Sequence, residues 1–172
     1  CRLSGEGLSG LFDTMLQSWD IQQFIDAGWL SDFEYRSARP DSLAMHRIGL
    51  LRKRGADRDY QVKEMATVMD VPESIEHLFR RYEAFAKGRK GIVYAIDRQH
   101  AQHIAAYYGE HGVKACVIDA KTPAKDRDLL VEAYRDGKVD VIVNVDIFSE
   151  GFDCPEVEFI QLARPTLSLS KY

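Results

Sequence analysis

Three carboxylates and a glycine follow a short apolar run near the end of the sequence, in Val141-Ile-Val-Asn-Val-Asp-Ile-Phe-Ser-Glu-Gly-Phe-Asp-Cys-Pro155. The β-branched start, Val141 to Val143, has the composition of a parallel strand covered on both faces. Asp146, Glu150, Gly151 and Asp153 then form a polar loop closed by Pro155. A glycine in such a loop lets backbone come close to a ligand, and the flanking carboxylates can accept hydrogen bonds from hydroxyls such as those of a ribose. The same pattern also fits an ordinary strand-to-helix loop. More polar residues fall where strands are expected to end: Asp97, Asp119 and Arg164. In open parallel sheets, ligands bind outside the carboxyl ends of the strands.

The elements that would hold these residues follow from periodicity. Strands are expected over Gly91–Ile96, Val113–Ile118, Val139–Val145 and Val157–Leu162. Between them, a helix from Arg98 to Tyr108 puts Ala101, Ile104, Ala105 and Tyr108 on one face. A second helix is expected to be capped by Thr122, to start at Pro123 and to bury Leu129, Leu130, Ala133 and Tyr134. Gly109 or Gly112 ends the first and Gly137 the second. Strands alternating with helices imply an α/β fold with a parallel sheet and flanking helices. The first half reads differently. A short helix is expected over Ile21–Ala27 with Gly28 as its stop, then a strand over Phe33–Ala38. Asp41 to Met69 is charged and helix-prone. Pro72 opens a helix through Ala86 with Ile75, Leu78, Phe79 and Tyr82 on one face, and Gly88 terminates it.

Composition narrows the function. The 172 residues suit one domain, or one domain plus a helical appendage, and 45% apolar content supports a core. A formal charge of -4 argues against a general nucleic-acid coat, so any such contact must be local. The basic clusters Arg52-Lys53-Arg54 with Arg58, and Lys87, Arg89, Lys90, read as solvated helix ends. Cys1, Cys116 and Cys154 are odd in number and widely spaced, which fits reduced thiols in a cytoplasmic protein. No apolar run approaches membrane length. The start at Cys1 and the stop at Tyr172 read as the ends of a piece of something longer.

Several other motifs fail on their context. Gly5-Glu-Gly-Leu-Ser-Gly10 matches G-x-G-x-x-G, but only four residues precede it, too few for the required strand, and Glu6 would oppose a pyrophosphate. The sequence has no G-x-x-x-x-G-K-[ST] loop and no Walker-B acidic pair. His100 and His103 stand at i, i+3 on an expected helix without a third ligand, which reads as a solvated helix face. No serine has the context of a nucleophile elbow.

The segment from Val141 to Pro155 resembles motif V of superfamily-two helicases. Phe159 to Tyr172, with Arg164-Pro165-Thr166, Ser168 and Tyr172, resembles the approach to that family's motif VI. The resemblance covers Gly88 to Tyr172 closely and Arg2 to Ser37 loosely, where Arg2 to Leu8 looks like the stretch after motif III. Residues 40–86 resemble nothing assigned. The resemblance implies the second RecA-like motor domain of an ATP-dependent helicase, with an N-terminal helical segment. Residues 1–38 would begin that domain, 39–87 would be a helical insertion or linker, and 88–172 would be its core, ending before the motif VI arginines.

By the same resemblance Glu150, Gly151 and Asp153 would face the nucleotide, with Asp153 near the ribose, in a cleft shared with an N-terminal RecA-like domain, and ATP and Mg2+ would be cofactors of the full-length protein. Asp97, Arg98, Lys121 and Asn144 would face one strand of nucleic acid, with Arg98 on a phosphate. Arg127 matches an arginine that follows the next strand in the family. Ala124 stands where many RNA helicases have glutamine, Asp119-Ala120 replaces a common His-Gly, and Val145 replaces a common threonine. These departures favour DNA over RNA. Lacking the phosphate loop and the terminal arginines, the chain by itself is expected to be inactive. The alternatives are a free-standing Rossmann-like or flavodoxin-like small-ligand module, or an inactive interaction domain.

Overall fold

A computed structural model describes residues 18–36, 42–52, 59–148 and 154–167. The chain divides into two compact units, Cys1–Arg39 and Pro40–Tyr172.

Within the first unit, α1 (Ile21–Asp26) starts at a reciprocal cap: the Asp20 side chain accepts from Gln23 N–H, and the Gln23 side chain accepts from Asp20 N–H. Gly28, at φ 77°, stops it as the sequence implies. Phe33 to Arg36, expected to begin a strand, form no regular structure, and Phe33 and Tyr35 are exposed. The aromatic residues that favour a strand have no partner strand among the described residues, and propensity alone does not form one. Residues 37 and 38 lie outside the described residues.

The second unit is built on four parallel strands in the order β2-β3-β1-β4: β1 (Gly91–Tyr94), β2 (Ala115–Ile118), β3 (Val141–Asn144) and β4 (Phe159–Leu162). All four fall inside the expected runs, each shorter by two or three residues, because pairing stops where chains diverge towards the loops. Gly91 lies opposite Phe159, and a Cβ there would collide with the Phe159 ring and carbonyl oxygen, so only glycine lets β1 and β4 close.

Side chains alternate between two cores. Val93, Val141 and Val143 face α4 (Pro72–Phe85) and α5 (Arg98–Glu110), where Ile75, Phe79, Tyr82, Ala101, Ile104 and Tyr108 are buried. Phe79 is central, with its ring centroid 5.0 Å from that of Tyr108 and 4.7 Å from that of His111. Ile92, Ile118 and Ile142 face α6 (Ala124–Arg135) through Tyr134. The α4 and α5 faces match the periodicity. For α6 the match is partial: Leu130 packs on the core, whereas Leu129, one position and about 100° earlier, is 55% exposed. Thr122 does not cap α6, because its hydroxyl accepts from Asp119 N–H instead and Pro123 takes the cap position.

The helices before α4 are α2 (Ser42–Leu50) and α3 (Val62–Met69). Leu51 and Met65 bury against Ile96 just past β1, and Arg47 on α2 pairs with Glu73 on α4 at 3.2 Å. No helix among the described residues is long and apolar enough to cross a membrane.

Candidate nucleic-acid and nucleotide edge

The carboxyl ends of the strands carry Asp97, Asp119, Asp146 and Arg164, as the pattern implies. The edge has two halves.

The first half, at the ends of β1 and β2, is organised by Asp119. This residue directly follows β2 and is buried. Its Oδ1 accepts from Lys121 N–H at 2.8 Å and Thr122 N–H at 3.1 Å, forming a tight Asx turn into α6. Its Oδ2 lies 2.9 Å from Arg98 Nε. One carboxylate therefore gathers two residues the sequence nominated separately, Arg98 and Lys121. Asp97 caps α5 by accepting from His100 N–H at 2.9 Å, which fixes where Arg98 leaves the helix.

His100 is not on a solvated face. Its ring is buried, and Nδ1 accepts from Ile96 N–H at 3.3 Å. Burial holds its pKa below the usual histidine value, opposed by Asp70 and Asp97 and reinforced by His103. His103 Nδ1 instead meets Asp70 Oδ1 at 2.9 Å, tying α5 to the end of α3. The described residues contain no group of three or more potential metal ligands.

The second half, at the ends of β3 and β4, is organised by Asn144. Its side chain is fully buried, and Oδ1 accepts from Ile147 N–H at 3.1 Å and Phe148 N–H at 3.2 Å. The side chain therefore acts on the loop after β3. Its Nδ2 has no hydrogen-bond partner among the described residues. Tyr94 on β1 donates its hydroxyl to Phe148 C=O at 2.6 Å. Asp146 adopts φ 55°, a left-handed conformation, and accepts from Arg164 Nη1 at 3.1 Å. Glu150, Gly151 and Asp153 lie outside the described residues, but Phe148 before them and Cys154 after them are buried in the same core. Burial raises the thiol pKa of both Cys116, to about 11, and Cys154. Both are free thiols.

One residue of this edge was not foreseen. Asp59 is buried and accepts from Thr166 Oγ1 at 2.7 Å and Leu167 N–H at 2.8 Å, tying the Arg164-Pro165-Thr166 stretch to the segment before α3. It lies far from Thr166 in sequence, in a stretch that resembled nothing, so no local signal marks it.

Comparison with known proteins follows the same lines. Residues 71–172 match the model of the helicase conserved C-terminal domain. A 51.5 kDa protein of a Lactococcus phage is 33% identical over 98% of this chain and 35% of its own length. The provisionally named ATP-dependent helicase IRC3 of Saccharomyces cerevisiae is 24% identical over 98% of this chain and 24% of its own length. The chain thus spans about a third or less of these relatives. Among solved structures, the helicase domain of Pyrococcus furiosus Hef is similar at 22% identity, with a TM-score of 0.43, over 56% of this chain and 19% of that one.

Proposed function

Because this chain belongs to the family of the helicase conserved C-terminal domain, we propose that it forms the second motor domain of an ATP-dependent DNA helicase or translocase. ATP binds between it and an N-terminal RecA-like domain, and hydrolysis opens and closes the two as rigid bodies about a hinge, stepping the protein along one strand.

The observation that supports this reading best is the gathering of Arg98 and Lys121 on Asp119 at the carboxyl edge. A negatively charged chain needs a local, oriented basic site to hold a phosphate backbone, and here one buried carboxylate pairs with the Arg98 side chain and holds the backbone N–H of Lys121. In this reading Asp97 and Asn144 act indirectly, by fixing the start of α5 and the loop after β3. Glu150, Gly151 and Asp153 continue that loop and take the nucleotide, with Asp153 on the ribose. Phe148, the last described residue before that stretch, is held by Asn144 and Tyr94. Mg2+ accompanies the phosphates, and no residue of this chain is assigned to it.

Phosphate release by the full-length protein, with and without single-stranded DNA, tests the proposal. DNA is expected to stimulate turnover, and Asp153→Ala to lower it while circular dichroism stays unchanged. This chain alone is expected to be inactive. A turnover of the isolated chain above ~0.1 per second, within the lower range of enzyme rates, or undiminished turnover in Asp153→Ala, overturns the reading. So does tight small-ligand binding by the isolated chain.

A further inference from the structure

We infer that Asp119 is a positioning residue that aims the Arg98 guanidinium outward for end-on recognition of a nucleic-acid phosphate. This rests on the proposed nucleic-acid edge and adds what makes that edge competent.

The atoms carry the inference. Asp119 Oδ2 forms an ion pair with Arg98, whose Nε lies 2.9 Å away. Nη1 and Nη2 make no hydrogen bond among the described residues. The Asp119 side chain is 7% exposed and that of Arg98 is 53% exposed. The pair therefore has a buried carboxylate and an exposed guanidinium. A guanidinium paired with a fixed carboxylate on its Nε side is restricted in where it can go, and its two Nη groups remain to take two oxygens of a phosphate. A carboxylate bound across Nη1 and Nη2 would have masked the arginine, and Asp119 does not bind there.

Asp119 is itself immobilised. Its Oδ1 is held by Lys121 N–H and Thr122 N–H, and Thr122 Oγ1 accepts from the Asp119 N–H. The anchor is thus fixed by the turn into α6, and Arg98 by the Asp97 cap at the start of α5. Two crossovers of the sheet meet at this one ion pair. An exposed arginine on a flexible stem loses rotamer freedom when it binds, and here that ordering is already in place, which is the physical meaning of preorganisation.

A double-mutant cycle on the full-length protein tests the inference, with fluorescein-labelled oligothymidylate titrated at several salt concentrations. Asp119→Asn keeps an Oδ1 acceptor for the turn but removes the charge that pairs with Arg98. Arg98→Ala in the wild-type background is expected to weaken binding about 10- to 100-fold, the size of one charge-assisted contact. It should also lower the salt slope by about one unit or less. In the Asp119→Asn background the same change is expected to cost less than about twofold. Arg98→Lys, which cannot keep the anchor and offer a fork together, should behave nearly as Arg98→Ala.

Equal costs in both backgrounds would make Asp119 a brace of the turn only and overturn the inference while leaving the nucleic-acid edge standing. A larger cost of Arg98→Ala in the Asp119→Asn background would make Asp119 a mask and overturn it too. No effect of Arg98→Ala in the wild type would sink the nucleic-acid role of Arg98 itself. If Asp119→Asn does not fold, the Arg98→Lys result decides: wild-type affinity there overturns the inference.

Discussion

The two halves of the carboxyl edge solve the same problem in opposite ways. At β1 and β2 the organiser is a carboxylate, Asp119, that gives one oxygen to a turn and the other to an arginine at the surface. At β3 and β4 the organiser is an amide, Asn144, with no exposure, whose oxygen serves two backbone N–H groups of a loop. A charge can be placed at the first site because its partner is beside it and water is near. At the second, a charge would be buried without a partner among the described residues, and a neutral acceptor does the work at lower desolvation cost. The first half therefore presents side chains, and the second shapes backbone.

The largest effect expected from this difference is on stability. Asn144→Ala leaves Ile147 N–H and Phe148 N–H without their acceptor, Phe148 being buried, and should destabilise the fold by about 2–3 kcal/mol. Asp119→Ala removes an acceptor from a turn whose donors can turn to water, at about 1 kcal/mol, the scale of a lost cap. Denaturant unfolding of the two variants compares them, and hydrogen exchange at residues 147 and 148 should accelerate only in the first. Equal losses would break the distinction between a backbone-shaping half and a side-chain-presenting half.

A second effect concerns the backbone alone. Asp146 holds φ 55°, where most side chains are strained, and pairs with Arg164. Asp146→Ala and Asp146→Gly both lose the pair, but only glycine is at ease in this conformation. The glycine variant should be more stable than the alanine variant by about 1 kcal/mol. Thermal melts of the two show whether the left-handed turn is held against strain, and equal stability would show that the loop relaxes out of it.

The fold was legible because its signals are local. The strand runs are β-branched, α4 and α5 repeat apolar residues at helical spacing, and Gly28, Gly88, Gly112 and Gly137 all hold positive φ at the helix ends. The errors came where two local readings competed. Thr122 and Pro123 read as a cap and first residue, but Asp119 is close enough to take the Thr122 hydroxyl into its own turn. Leu129 and Leu130 are both apolar, and only the packed sheet decides which of them faces in. The positions of the edge residues were readable as strand ends, and their partners were not. Arg98 and Asp119 come from different crossovers, as do Asp59 and Thr166, and no spacing within a segment encodes such a pair. The inward turn of Asn144 was equally hidden, since an asparagine after a β-branched run carries no mark of direction.

The smallest effect is a pH dependence confined to the first half. His100 is buried beneath the start of α5, and its Nδ1 accepts from Ile96 N–H. Protonation would put a hydrogen on Nδ1, donor against donor. Burial is the main reason its folded-state pKa lies below the usual histidine value. Asp70 and Asp97 oppose the shift and His103 adds to it. The unfolded chain takes up this proton at about pH 6.5, the ordinary histidine value, and the folded chain only at lower pH. The stabilisation is therefore fully present above about pH 6.5 and is lost as pH falls from there through the folded-state value. Hydrogen exchange between pH about 7 and about 5, corrected for intrinsic rates, should show amide 96 losing protection on acidification. Amides 147 and 148, held by an asparagine that does not titrate, should keep theirs. His100→Gln should flatten the response at residue 96. Parallel loss of protection at all three amides would mean that acid acts on the whole sheet and that the two halves do not differ in this respect. Loss at residue 96 alone ties the charged half to pH and leaves the backbone-shaping half indifferent to it.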